Sequence, residues 1–243
     1  MKKMFFVLSV CAGMGVSVAA DVTGPAEFAP GERVSFVGDS ITHGGGFVAY
    51  LTLFHNLRHP GDGARVINSG ISGGTLAQAL RRFDNDIMRD RPDRVFVMMG
   101  MNDIRRPFWS QAVPDEKNAG IRAEAITAYG TNLTALVGRF FRAGVKTVLM
   151  TPTPYDQYAV ISNRPVLAAC NDPGLSSCAE IVRKTADEKG LAIVDLHRPL
   201  TELLKRGKSG APYCHDRIHP GAVGNLIVAA EILKAMRIQA EFS

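Results

Sequence analysis

Four short polar segments of this 243-residue sequence contain residue types that suit nucleophilic catalysis. They are residues 38–42 (GDSIT), 68–73 (NSGISG), 100–103 (GMND) and 216–220 (DRIHP). A serine hydroxyl is a weak nucleophile until a neighbouring base removes its proton, and histidine suits that task near neutral pH. A carboxylate must then hold the imidazole in one tautomer. Ser40, His219 and Asp216 could supply these three groups.

The same segments could also stabilise the negative charge that develops on an attacked carbonyl oxygen. Fixed N–H donors must face that oxygen. The backbone N–H groups of Ser40 and Gly70 and the side-chain amide of Asn102 could donate to it. Glycine at position 70 carries no side chain that would block the approach of a substrate.

The elements between these segments predict a parallel α/β sheet. Stripes of apolar residues at helical spacing alternate with apolar runs that predict five strands. Such runs are typical of strands that helices cover on both faces. The runs lie at residues 34–37, 65–68, 95–99, 145–150 and 191–194. Because ligands bind at the carboxyl ends of such strands, and three of the four segments follow a strand, we expect the site at that edge.

In this order and at these places, the four segments resemble the sequence blocks of the SGNH/GDSL hydrolases, from about Val34 to Val228. The resemblance implies a serine esterase in one flavodoxin-like, three-layer α/β/α domain with a central parallel sheet of about five strands. The catalytic residues that it implies are Ser40, Asp216 and His219, and the implied oxyanion hole comprises Ser40, Gly70 and Asn102.

Other interpretations of these residues are open. Ser40 could only cap a helix, and Asn102 and Asp103 could be turn formers, which is the role we expect for Asp103. His215 adjoins Asp216 but falls outside the family pattern, and we interpret it as a loop residue. A metallophosphoesterase-like centre usually carries more His and Asp ligands than these segments provide. We therefore expect neither a metal nor an organic cofactor.

The segments look most like the branch of the family that deacetylates polysaccharides, so the expected substrate is an acetylated poly- or oligosaccharide. Sugar sites combine aromatic rings with polar groups. The substrate contacts that we expect on this basis are Asp39, His43, Trp109 and Tyr155. Asp39 could instead orient its neighbours, and the two aromatic rings could instead pack the loops. The alternative functions are a lipase or lysophospholipase, a thioesterase, and a non-catalytic carbohydrate-binding protein on this fold.

The first twenty residues have the pattern of a signal peptide. Lys2 and Lys3 precede an uncharged run, residues 4–20, that ends in small residues and is too short and too rich in Gly, Ser and Ala for a spanning helix. We predict cleavage after Ala20 and export of a hydrolase domain, residues 21–243, to the periplasm or beyond, with no stable membrane span. Cleavage lowers the formal charge from +5 to +3, too little to suggest nucleic acid as a partner.

Three cysteines remain after the predicted cleavage, and export permits disulfides. Cys170 and Cys178 bracket a Pro-Gly loop and are the expected pair, which leaves Cys214 unpaired. Three free, buried thiols are the alternative.

Overall fold

The computed structural model describes residues 24–109, 115–161, 166–167, 169–207, 213–214 and 216–238. The predicted signal peptide and His215 lie outside the described residues. The strands are β1 (Arg33–Gly38), β2 (Arg65–Gly70), β3 (Arg94–Met98), β4 (Lys146–Met150) and β5 (Ala192–Val194). The helices are α1 (Ser40–His43), α2 (Gly46–Arg58), α3 (Leu76–Arg81), α4 (Asp115–Arg142), α5 (Ser176–Lys189), α6 (His197–Arg206) and α7 (Ala222–Ala235).

The five strands form one sheet in the order β2-β1-β3-β4-β5, and all neighbours are parallel. The chain leaves β1 toward β2 on one side and then crosses back to β3 on the other. Loops that diverge in this way open a crevice at the carboxyl ends of the two strands, where α/β proteins bind their ligands. Ser40 follows β1 at this point, and Asn102 follows β3.

Helices cover both faces of the sheet. One group of helices consists of α2 and α7, which pack against each other. The second group consists of α3, α4 and α5, in which α4 contacts both of the others. All of β3 is buried, and Phe36 of β1 stacks on Phe96 of β3 with ring centroids 4.8 Å apart. Phe47 of α2 meets Phe36 edge-on. Because the strands have apolar side chains on both faces, their sequences are continuous apolar runs. The predicted three-layer α/β/α fold is confirmed.

Three local features differ from the expectations. Helix α6 was not predicted, and the region expected to be a loop before α5 contains a π-helix, Cys170–Leu175. The expected disulfide is absent, since Cys170, Cys178 and Cys214 are free thiols. Cys170 and Cys178 are fully buried in the apolar core, where each acts as a small packing group. Within the described ranges, no helix has the length and apolar character needed to cross a membrane.

Candidate active site

A serine, a histidine and a carboxylate form a chain of short hydrogen bonds at the carboxyl edge of the sheet. His219 Nε2 lies 2.7 Å from Ser40 Oγ, and His219 Nδ1 lies 2.6 Å from Asp216 Oδ2. Because a carboxylate only accepts, Nδ1 carries the proton, and Nε2 is left to accept the serine proton. Two residues that are 179 positions apart in the sequence thus meet in the geometry of a nucleophile and its base.

Ser40 is held by a short, tightly capped turn. It is the first residue of α1, and Asp39 is the one residue between it and β1. The Asp39 side chain caps this turn by accepting from Ile41 N–H at 2.9 Å. Asn68 adds a second support, since its amide donates to Thr42 O at 2.7 Å. These bonds fix the backbone that carries the nucleophile.

The loop that carries His219 is pinned from two directions. Asp216 Oδ1 accepts from the N–H groups of Ile218 and His219, at 3.0 and 2.8 Å. Arg217, with φ of 73° and 3% exposure, donates to Asp156 O and Ala159 O, at 3.2 and 2.6 Å. A left-handed conformation costs an arginine roughly 1–2 kcal/mol. These buried hydrogen bonds offset that cost and hold the loop against the segment after β4.

The pKa values of the two acidic residues beside Ser40 and His219, Asp39 and Asp216, are shifted in opposite directions. Partial burial tends to raise the pKa of Asp216, but the N–H groups of His219 and Ile218 and the imidazole outweigh it, and its pKa is lowered. Asp216 therefore keeps its charge beside the imidazole. Asp39 is 2% exposed, and burial raises its pKa to about 6 although Ile41 N–H donates to it. Asp39 therefore lies beneath the turn as a cap and does not face the substrate side.

The expected oxyanion donors are not equally available. Within the described part of the chain, no acceptor bonds the Ser40 N–H. The Asn102 amide donates one N–H to Gly74 O at 3.0 Å and retains a second. The Gly70 N–H already donates to Asn68 Oδ1 at 2.9 Å. Gly70 can hold an oxyanion only by sharing that proton, an arrangement in which one N–H serves two acceptors.

The structure also gives a different reason for glycine at position 70. A Cβ built there would lie 2.3 Å from His43 N and 2.7 Å from Thr42 C. These are backbone atoms of α1, so the space belongs to the turn that carries Ser40. The expectation that a side chain would block a substrate is corrected, because the contact that it would make is internal.

Comparison with known proteins gives this geometry a context. The sequence matches the GDSL-like lipase/acylhydrolase family over residues 36–227. The chain belongs to this family.

The relatives of this GDSL-family chain include an acetylxylan esterase of Geobacillus stearothermophilus, 28% identical over 222 residues, which cover 84% of this chain and 93% of the esterase. The crystal structure of Axe2, an acetylxylan esterase from the same species, superposes with a TM-score of 0.68 at 26% identity, over 88% of this chain and 99% of that one. A gut microbial diltiazem-metabolizing enzyme, BT4096, gives a TM-score of 0.80 at 28% identity; the match covers 89% of this chain but 49% of BT4096. Membership confirms the predicted family and the prediction of a carboxylic-ester hydrolase.

The residues expected to contact substrate in this GDSL-family hydrolase have different positions. His43 is exposed, and its Nδ1 lies 3.1 Å from Gly70 O beside the site. Trp109 and Tyr155 are only 3% and 4% exposed. The Trp109 indole donates to Ile104 O, and the Tyr155 hydroxyl accepts from Leu167 N–H. These rings pack the loops and present no aromatic platform, so that expectation is corrected.

Asn225 and Asp103 have structural roles at the site that the sequence motifs did not reveal. Asn225 of α7 accepts from Phe47 N–H at 3.0 Å and donates to Pro220 O at 2.7 Å. It thereby joins the loop that carries His219 to the start of α2, just after the turn that carries Ser40. The available signal was one amide among the apolar residues 222–230 that begin α7. Asp103, expected to form a turn, accepts from Leu76 N–H at 2.8 Å and so fixes the start of α3.

One pair of histidines, His55 and His59, has the spacing of helical metal ligands. His55 and His59 are four residues apart at the end of α2, with ring centroids 5.1 Å apart. Each Nε2 lies 2.9 Å from a carboxylate, that of Asp62 for His55 and that of Glu27 for His59. Across the described ranges, no group of three or more His, Cys, Asp or Glu side chains could hold a metal ion.

Proposed function

We propose that this protein is an exported acetylesterase that removes acetyl groups from carbohydrate through an acyl-enzyme on Ser40. The observation that carries the proposal is the continuous chain from Ser40 Oγ to His219 at 2.7 Å and from His219 to Asp216 at 2.6 Å. A serine bonded in this way is activated toward an ester carbonyl, which a serine used only as a helix cap does not require.

The proposed reaction has two halves. His219 Nε2 takes the Ser40 proton as Oγ bonds to the acetyl carbon, and the carbonyl oxygen becomes an oxyanion. The Ser40 N–H and the second N–H of Asn102 stabilise that charge, with the Gly70 N–H shared. The bond to the sugar oxygen then breaks, and His219 returns the proton to that oxygen. Water, deprotonated by His219, attacks the acyl-enzyme and releases acetate.

The acetylated carbohydrate is proposed because the similar proteins include acetylxylan esterase of Geobacillus stearothermophilus, matched both by sequence and by structure. The site itself agrees with a polar substrate. His43 is exposed beside Ser40, and no long apolar flap lies among the described residues at this edge. A lipase or lysophospholipase would need an apolar surface for its acyl chain, so a short acyl group fits the observed surroundings better.

We further propose that residues 1–20 are a signal peptide and that residues 21–243 form the exported hydrolase domain. The basic start, the uncharged run and the small residues before Asp21 support this. One relative, the uncharacterized lipoprotein YqeF of Bacillus subtilis strain 168, is 28% identical over 89 residues, 37% of this chain and 32% of YqeF. N-terminal sequencing of the protein from its native cells would show whether the mature chain begins at Asp21.

A substrate panel tests the function. We expect hydrolysis of p-nitrophenyl acetate, release of acetate from acetylated xylan, and little hydrolysis of p-nitrophenyl palmitate. Ser40→Ala should lower turnover on the first two substrates by about 10⁴-fold or more, since members of such a chain act as a unit. Circular dichroism should show an intact fold. More than a few per cent of residual activity in purified Ser40→Ala would show that another group is the nucleophile.

A further inference from the structure

A polar cavity lies on the same edge of the sheet as Ser40, beyond the end of β5. Its volume is about 410 Å³, within the range of sites that bind small molecules. It opens between the π-helix that precedes α5 and the first two turns of α6. Its lining includes the polar side chains of Tyr158, Asn171, His197 and Thr201.

Two buried acceptors that line this cavity have no donor among the described residues. Asn171 is 5% exposed, and neither its Oδ1 nor the buried Oγ1 of Thr201 has a hydrogen-bond partner there. His197 Nδ1 lies 3.2 Å from Pro152 O, and a carbonyl only accepts, so this nitrogen carries the proton. Burial lowers the pKa of His197 and keeps the ring neutral. His197 Nε2 is then a third acceptor, and buried acceptors of this kind favour a ligand that offers several donors.

The charges around the cavity disfavour an ionic ligand. Lys205 pairs with Glu202 at 2.8 Å, and Arg183 pairs with Glu180. The charged side chains of the lining are the cations Arg183, Arg198 and Lys205 and the carboxylates Asp172, Glu180 and Glu202. Because the two signs are equal in number, the cavity attracts neither an anion nor a cation by net charge. A neutral molecule with several hydroxyl groups satisfies both the charge balance and the free acceptors.

The cavity is connected to the catalytic residues by one segment of chain. Gln157 and Tyr158 line the cavity, and the Tyr158 side chain is 40% exposed. Their neighbours Asp156 and Ala159 accept from Arg217, two residues before His219. One face of this segment thus borders the cavity while its backbone holds the loop of the base. An exposed aromatic ring at such a rim offers a flat apolar surface to the face of a sugar.

We propose that this cavity is a subsite for a neutral saccharide unit of the substrate, distant from the unit whose acetyl group Ser40 removes. The inference rests on the proposed function and extends it, since it makes this enzyme selective for oligosaccharide chains over single acetylated sugars. Asn171, Thr201 and His197 accept hydrogen bonds from sugar hydroxyls, and Tyr158 covers the sugar face.

The test compares acetylated xylo-oligosaccharides of increasing length with p-nitrophenyl acetate, which carries no saccharide unit that could occupy the cavity. Thr201→Val removes the hydroxyl and keeps the shape, and Asn171→Leu removes the buried acceptor. We expect kcat/KM of the wild type to rise with chain length. Each variant should lose about 3- to 10-fold on the longest substrate, as for one lost hydrogen bond, through KM rather than kcat. Thr131→Val on the exposed face of α4 is the matched control.

The outcomes separate the subsite from the catalytic proposal. If the wild type does not hydrolyse p-nitrophenyl acetate, the proposed function fails. If it does, but Thr201→Val keeps the full gain with chain length, the subsite is wrong. An equal loss on p-nitrophenyl acetate and on the longest substrate would also refute the subsite, because it would indicate a general structural effect. Thr201→Val decides the question alone if Asn171→Leu does not fold.

Discussion

Replacing Gly70 by alanine tests whether this residue acts through its N–H group or through the space that it leaves for α1. Alanine keeps the N–H. Its Cβ, however, would lie 2.3 Å from His43 N, 2.7 Å from Thr42 C and 2.8 Å from His43 Cα. None of these backbone atoms can rotate away, so the turn that carries Ser40 must move by about 1 Å to restore an ordinary contact of 3.4 Å or more.

A displacement of this size has consequences for both rate and stability. A shift of about 1 Å in a reacting group can lower the rate by about 100-fold. Overpacking of this kind typically costs about 1–3 kcal/mol of folding free energy. We therefore expect Gly70→Ala to lose about 100-fold in kcat/KM on p-nitrophenyl acetate, with a lowered urea midpoint but a folded protein at 25 °C.

Gly120→Ala is the matched control for this variant. Gly120 lies in α4, and a Cβ built there has no heavy atom within 4 Å. Alanine should stabilise this helix by about 0.5–1 kcal/mol and leave the rate unchanged. Wild-type activity in Gly70→Ala would refute the packing explanation and leave the N–H as the reason for glycine. An equal loss in Gly120→Ala would show that the effect is not local to the site.

The remaining predictions concern charge and cofactors. Asp216→Asn removes the carboxylate that stabilises the imidazolium of His219, so kcat should fall by about 10²- to 10⁴-fold, and an unchanged kcat would show that another acceptor holds the ring. Burial raises the pKa of Asp39 to about 6, so the folded protein favours the neutral form of this carboxyl group. The stability that this group contributes is complete below about pH 4, where it is neutral in both states, and is lost as the pH rises through 6. Asp39→Asn keeps the cap without the charge, and its stability relative to wild type should therefore increase by roughly 2–3 kcal/mol between pH 4 and pH 7; a difference in urea unfolding that is constant with pH would contradict this. Dialysis against EDTA should leave activity unchanged, whereas a loss that a divalent ion restores would indicate a metal enzyme.

Much of the fold could be read from local patterns. The apolar runs predict the five strands because a strand buried on both faces needs apolar residues at successive positions. The positions of Ser40 and Asn102 at strand ends follow from the same runs. Asp216 and His219 are three residues apart, so their pairing is a short-range property that spacing alone can predict.

Other features depend on contacts between distant parts of the chain. Asn225 of α7 bonds to Phe47, 178 positions away in the sequence. The residues around either position do not indicate such a distant partner. Trp109 and Tyr155 were expected to contact substrate as aromatic rings, but both are buried, and burial depends on which loops fold over them. The sequence by itself determined the strands, the order of the polar segments and the Asp216–His219 pair, since these follow from periodicity and short spacing. Only the tertiary structure decided that Asn68 occupies the Gly70 N–H and that α1 fills the space beside it, because both depend on how closely two separate elements pack.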